Sequence, residues 1–136
     1  MARITLMPLA SYTFSTQMTV RVSDLNYGNH LSNDKILAFA HEARVRYLAS
    51  IGQTELDFGG KGLIMADAAI VLWQQAFLGD DLVIEIGIAE ISRSSFEIHY
   101  RISNQHTHAI IALVKTAMVC YDYSRNKVVS IPPNTI

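Results

Sequence analysis

Thirteen consecutive residues bring together several kinds of reactive side chain. Arg21-Val22-Ser23-Asp24-Leu25-Asn26-Tyr27-Gly28-Asn29-His30-Leu31-Ser32-Asn33 gathers an acid, amides, an imidazole and a hydroxyl just ahead of a segment with helical spacing. Such a set suits the attack of water on a carbonyl. Asp24 or His30 could take a proton from water or orient it. Asn26 could hold that water or a carbonyl oxygen. The first backbone N–H groups of a helix, near Ser32 and Asn33, have no carbonyl one turn back. They can meet a developing oxyanion, and the helix dipole adds to the effect. The same residue types build ordinary turns and helix caps, so composition alone leaves a plain structural loop open.

The elements around this segment follow from periodicity. Phe14, Thr16, Met18, Val20 and Val22 alternate with polar neighbours, which predicts a half-buried strand entering the loop. Over residues 32–51 the spacing becomes three and four, through Ile36, Phe39, Ala40, Ala43, Tyr47 and Ile51. Ser32 is placed as N-cap, Asp34 sits in the first turn, and Gly52 is a suitable stop. Ala38, Ala40, Ala43 and Ala49 would let a sheet approach closely, so the helix is expected to be central. Residues 58–62, rich in Gly, predict a flexible connection. Strands are then expected over 65–77, 82–91, 95–102 and 108–123, with a short one near 126–130. One long helix and five or six antiparallel strands make an α+β domain spanning residues 1–136.

Other reactive residues carry weaker signals. Lys61 lies in a Gly-rich stretch that lacks the spacing of a phosphate-cradling loop. Asp67 falls within an apolar strand pattern, where an unpaired acid is expensive to bury, so either a structural partner or a place facing the active site across a dimer is expected. Glu42 and Arg44 are expected to pair with other elements. His99, His106 and His108 share no compact ligand pattern, and residues 106–108 suit a hairpin turn, so no metal is expected. Cys120, within an apolar run, suits a buried inert thiol.

Composition excludes several classes. The 11 basic and 12 acidic residues give a net charge of −1 without runs of one sign, which offers nucleic acid or an anionic membrane no footprint. No apolar stretch approaches the ~18 residues of a membrane span. The start, Met1-Ala2-Arg3-Ile4, lacks the apolar core of a signal peptide. One cysteine cannot form an internal disulfide, which suits the cytoplasm. Only 17% of residues are charged, while half are hydrophobic. A small domain normally needs about 25%, so part of the surface is expected to face another subunit or an apolar ligand.

The loop also resembles a known signature. Hotdog-fold acyl-CoA thioesterases of the 4-hydroxybenzoyl-CoA thioesterase-like family carry D-x-D-x-x-G-H-V-N-N before a long helix ending in E-A-R. Here the stretch reads Asp24-Leu25-Asn26-Tyr27-Gly28-Asn29-His30-Leu31-Ser32-Asn33, then Glu42-Ala43-Arg44. The segment from Trp73 through Gly79-Asp80 to Leu82, the run Arg93-Ser94-Ser95-Phe96, and Ile131-Pro132 are similar to later family features. The resemblance implies a hotdog fold, a long helix wrapped by an antiparallel sheet. It also implies hydrolysis of an acyl or aroyl thioester of coenzyme A or acyl carrier protein. Asp24, Asn26 and His30 would surround the reacting water, and the oxyanion donor would be a backbone N–H near Asn33. Tyr27, Ser32, Asn33 and Arg93 would bind substrate, Arg93 against the coenzyme A phosphates. No cofactor is implied; coenzyme A or phosphopantetheine enters as part of the substrate. The subunits would form a dimer, often a tetramer, joined edge to edge. One departure stands out: the family's second acid is Asn26 here, and a neutral amide cannot act as nucleophile or base. Either Asp24 or His30 takes over, or the chain binds thioesters without hydrolysing them. A hotdog dehydratase is disfavoured, because His30 is followed by Leu31-Ser32-Asn33 and not by a Pro-containing run.

Overall fold

Phe14, Thr16 and Met18 turn toward the helix side and Ser15, Gln17 and Thr19 away from it, which makes β1 (Phe14–Thr19). The computed structural model describes residues 3–136; the N-terminal expectation that rested on Met1 and Ala2 lies outside them. The alternation runs on to Val22 in the sequence, but the strand stops earlier. Val20 is buried and its N–H donates to the Asp80 carbonyl, after which Val22–Asp24 closes one 3-10 turn.

The helix α1 (Asn33–Ser50) follows, with Ser32 at its N-cap. Ile36, Phe39, Ala40, Ala43 and Tyr47, whose spacing predicts a helix face, are buried together with Arg44 and Leu48, while Ile51 is the C-cap and only partly buried. Ala40 and Ala43 make the close approach to the sheet. Ala38 and Ala49 do not, because they lie on the exposed face. The helix ends where the Gly52 N–H returns to the Ala49 carbonyl and that of Gln53 to Leu48.

The remaining strands are β2 (Gly62–Leu72), β3 (Asp81–Ala89), β4 (Ser95–Asn104), β5 (Ile110–Asp122) and β6 (Lys127–Val128). All six pair antiparallel in one sheet of order β1-β3-β4-β5-β2, with β6 on the end of β5. The helix lies against one face of this sheet, above Leu82, Ile84, Ile86, Phe96, Ile98, Ile102, Val114 and Met118, all buried. This is the α+β arrangement expected from the sequence.

Two expectations are corrected. Strand β2 does not extend to Phe77. The N–H groups of Trp73 and Gln74 both converge on the Ile111 carbonyl, at 2.9 and 3.2 Å, and that doubling throws the chain out of the sheet. Nor are residues 58–62 a flexible connection. Phe58 and Lys61 exchange backbone hydrogen bonds at 2.7 and 3.1 Å around Gly59 and Gly60, whose φ values of 60° and 90° suit a two-residue hairpin turn. The Lys61 ammonium is 3.1 Å from Asp122, and Gly62 is already in β2.

Candidate active site

The loop between β1 and α1 is a closed hairpin. The Asn26 N–H donates to the His30 carbonyl at 3.0 Å, the Ser32 N–H donates to the Asp24 carbonyl at 3.0 Å, and Leu25 bridges Leu31. Inside it, Asn26 Oδ1 accepts the N–H groups of Gly28 at 2.8 Å and of His30 at 3.5 Å. These are the bonds of an Asx turn, and they consume the amide oxygen. Asn29, at the tip, has φ of 63°, a left-handed conformation that Asn tolerates better than most side chains. The G of the family signature falls at this position.

Asp24 is fully buried. Its carboxylate accepts three bonds from Arg21: from the backbone N–H at 2.9 Å, Nε at 3.1 Å and Nη2 at 3.2 Å. Burial alone would push this carboxyl up. The Arg21 hydrogen bonds and charge outweigh it and hold Asp24 below the ordinary carboxylate range. A carboxylate so occupied anchors the loop to Arg21.

At the helix start, the Ser32 hydroxyl donates to the Asp34 carboxylate and not to the backbone. The Ser32 N–H is taken by Asp24, so the Asn33 N–H, one residue on, is the first at the helix start without an intrahelical carbonyl. His30 lies three residues earlier in the chain. Its Nδ1 lies 3.3 Å from the Leu31 carbonyl oxygen. A carbonyl only accepts, so the neutral ring carries its proton on Nδ1 and leaves Nε2 a lone pair. Nε2 is 3.2 Å from where a Cβ on Gly28 would stand, so a side chain at that position would crowd the ring.

His30 and Asn33 open into one cleft of about 260 Å³. On the helix side it is lined by His30, Leu31, Asn33 and Ile36. On the sheet side it is lined by Leu72, Trp73, Gln74, Gln75, Ala76 and Ile111. None of these ten carries a carboxylate, ammonium or guanidinium. A larger groove, about 470 Å³, lies between β1 and α1 and receives Arg21, Asp24, Lys35, Glu42 and Arg46. Volume favours the groove; chemistry favours the cleft. In the groove Arg21 is bound to Asp24 and Arg46 to Glu42 at 2.9 Å. The cleft instead joins an imidazole and the first residue of α1 to a lining without charged side chains.

Residues 20–136 match the family model of the thioesterase-like superfamily. The chain belongs to this superfamily. It is similar to a 1,4-dihydroxy-2-naphthoyl-CoA hydrolase of Synechococcus elongatus, 26% identical over 118 residues that cover 84% of each chain. Among solved structures it is similar to a 1,4-dihydroxy-2-naphthoyl-CoA thioesterase from Synechocystis, with a TM-score of 0.82 and 23% identity over 89% of this chain and 90% of that one. A thioesterase-superfamily protein from Jannaschia superposes with a TM-score of 0.83 at 16% identity, over 93% of this chain and 80% of that one. The hotdog fold implied by the loop and its helix is therefore this chain's fold.

Within this thioesterase-like domain, the structure brings His30 and Asn33 together in the cleft and leaves the other expected site residues outside its lining. Asp24 lines the larger groove. Tyr27 is fully exposed at the loop tip. Arg93, on the β3–β4 connection, donates from Nη1 to the Ser130 hydroxyl at 3.0 Å. Asp67 pairs with Lys115 at 2.8 Å, and Arg44 reaches the Tyr100 hydroxyl at 3.0 Å. Among the described residues no group of three His, Cys, Asp or Glu side chains could hold a metal ion. Sequence reasoning missed the wall formed by Trp73, Gln74 and Gln75. Its signal was the polar pair Gln74-Gln75, which breaks the alternation of an apolar strand.

Proposed function

We propose that this chain hydrolyses an acyl thioester of coenzyme A, with His30 as general base. The observation that carries this reading is that His30, whose Nδ1 lies 3.3 Å from the Leu31 carbonyl oxygen, and Asn33, the first residue of α1, line one cleft with no charged side chain in its lining. Water attacks the thioester carbonyl and gives its proton to Nε2. The carbonyl oxygen becomes an oxyanion against the Asn33 N–H and the positive end of α1. The intermediate collapses, the C–S bond breaks, and the imidazolium returns the proton to the departing thiolate. The products are a free acid and a thiol. Asp24 and Asn26 hold the loop in shape around His30, while Ser32 and Tyr27 border the route of the pantetheine arm. Arg93 meets the phosphates of coenzyme A, and a phosphopantetheinyl carrier protein would present the same arm.

The reading includes a homodimer that joins two sheets. β2 pairs on one side only, with β5, and its residues Met65 and Leu72 and the following Trp73 are about half exposed. A second copy there would cover this apolar margin and close the cleft, whose sheet side begins at Leu72. A tetramer would pair two such dimers. No helix is long and apolar enough to cross a membrane. The single buried Cys120 supports a place in the cytoplasm.

A second reading is a binder that holds acyl thioesters without turnover. The lack of a carboxylate in the cleft favours it. Both are tested by following thiol release from a panel of acyl-CoAs that includes 1,4-dihydroxy-2-naphthoyl-CoA. Hydrolysis predicts turnover that His30→Ala lowers by ~10²–10⁴-fold. Tight binding with no release from any substrate would instead establish the binder.

A further inference from the structure

Three polar side chains of the β1–α1 loop are spent on the protein itself. Asp24 is bound to Arg21, Asn26 Oδ1 to two backbone N–H groups, and the Ser32 hydroxyl to Asp34. Across the cleft the situation is the reverse. Gln74 and Gln75 line it, are exposed, and hold no side-chain hydrogen bond among the described residues.

Their backbone is fixed all the same. The Gln74 N–H is held by Ile111, the Ala76 carbonyl accepts the Leu31 N–H at 2.8 Å, and Phe77 bridges His30. The two amides therefore stand on a rigid strip that runs antiparallel to the loop. Asn33 lines the cleft from the helix side and Gln74 and Gln75 from the sheet side, so the two amides lie across it from the start of α1. A thioester whose carbonyl meets the Asn33 N–H has its acyl group against these two residues.

We propose that Gln74 and Gln75 set the acyl specificity of this cleft. They select uncharged acyl groups that carry a hydrogen-bonding substituent, such as a hydroxyl, and reject acyl groups that end in a carboxylate. The inference rests on the cleft being the thioester site. A carbamoyl group both donates and accepts, so it satisfies a hydroxyl or oxo group in either sense. It offers no charge to a carboxylate, and none of the residues lining the cleft supplies one, so an anionic acyl end would enter without a counter-charge. The floor of Leu31, Ile36 and Ile111 is apolar and satisfies only the carbon skeleton.

The test uses the full chain and acyl-CoAs of matched carbon skeleton, aryl and alkyl, each unsubstituted, hydroxylated or carboxylated. Thiol release gives kcat and KM, and calorimetry with His30→Ala gives binding in the absence of the base. The wild type is expected to favour hydroxylated over unsubstituted acyl groups by ~10-fold or more, and the double change Gln74→Leu, Gln75→Leu to reduce that preference to within ~3-fold. Gln75→Arg is expected to raise the affinity for the carboxylated acyl-CoA, a gain that a misfolded variant could not produce. Binding that discriminates without thiol release upholds this inference and overturns hydrolysis. Turnover without discrimination, or a preference that survives the double change, overturns this inference alone. A chain that neither binds nor hydrolyses any of the panel overturns both.

Discussion

Leu31 donates its backbone N–H to the carbonyl of Ala76 at 2.8 Å, and this bond ties the loop of His30 to the strip of Gln74 and Gln75. Both residues are buried, so the bond is shielded from competing water. The two walls of the cleft are thus fixed to each other through backbone. Side chains on either wall can be changed without moving the opposite one, and the chemistry of the loop can be probed separately from its shape.

Asn26 is the first position to probe. Its Oδ1 and the Nε2 of His30 each lie 3.2 Å from the same point above Gly28, so the amide and the ring are neighbours. Asn26→Asp keeps an acceptor for the Gly28 and His30 N–H groups. It adds a negative charge beside a ring that, in the mechanism proposed above, becomes imidazolium on taking the proton from water. We expect kcat for thiol release to rise by ~10-fold, corresponding to ~1.4 kcal/mol of transition-state stabilisation. Asn26→Ala, which removes both turn bonds, is expected to lower stability by about 1 kcal/mol in urea titration. An Asp variant no faster than wild type would show that this position does not act on His30.

Much of the fold was legible in the sequence, and the reasons are local. The period of two in β1 and the three-and-four spacing of α1 follow from one buried face each, so hydropathy marks them. The loop was legible because its residue types serve both a turn and a helix start. The state of its side chains was not. Whether Asp24 faces a substrate or Arg21 depends on the 3-10 turn over Val22–Asp24, which hydropathy does not mark. The end of β2 was hidden for a related reason. Trp73 and Phe77 keep an apolar look beyond Leu72, yet both are half exposed, because the backbone leaves the sheet at Ile111.

Arg44 tests the architecture behind the site. It is only 5% exposed, donates from Nη1 to the Tyr100 hydroxyl at 3.0 Å, and has Nε 3.4 Å from Glu55. The Tyr100 hydroxyl also meets Thr116 at 2.7 Å, so helix, sheet and the segment before β2 share one polar knot in the core. Arg44→Leu removes the centre of the knot. Tyr100 keeps Thr116 and Glu55 keeps His41, which moderates the loss. The expected cost is about 2–3 kcal/mol, less than the 3–5 kcal/mol typical of a fully buried pair, because Glu55 is partly solvated. The midpoint of urea unfolding measures it.

Acid should unfold the protein through carboxylates that are held down in the folded state. Asp122 accepts the Ser124 hydroxyl at 2.7 Å and lies 3.1 Å from Lys61; these hold its carboxyl far below the ordinary value of 3.8. Asp24 is also held down, by Arg21. A group whose folded pKa is depressed contributes stability above its unfolded pKa, and that contribution is lost as pH falls toward the folded value. The melting temperature is therefore expected to be nearly flat from neutral pH to about pH 5 and to decline below about pH 4. Asp122→Asn should make the decline shallower, since Asn still accepts from Ser124 but has no charge to lose beside Lys61. An unchanged acid slope in that variant would remove Asp122 from the account.

The two free sheet edges are not equivalent, and this decides where a second copy can join. On β1 the Gln17 carbonyl accepts Arg46 Nη1 at 3.0 Å and the Thr16 hydroxyl accepts it at 2.8 Å, so a cation from α1 sits against that strand. Charge on an edge is a common guard against strand pairing. β2 carries a single charge, Asp67, and that is turned to Lys115 on the neighbouring strand. With only 23 charged residues in 136, the chain has few left to guard this margin. Light scattering at low micromolar concentration is expected to give a dimer for the wild type. Ala68→Lys, in the exposed middle of β2, should give a monomer of lower stability, while Gln17→Lys on β1 should leave the size unchanged. A well-folded wild-type monomer at that concentration would mean that the apolar margin of β2 is covered by something other than a second copy. Loss of the dimer on Gln17→Lys alone would move the interface to β1, away from the cleft.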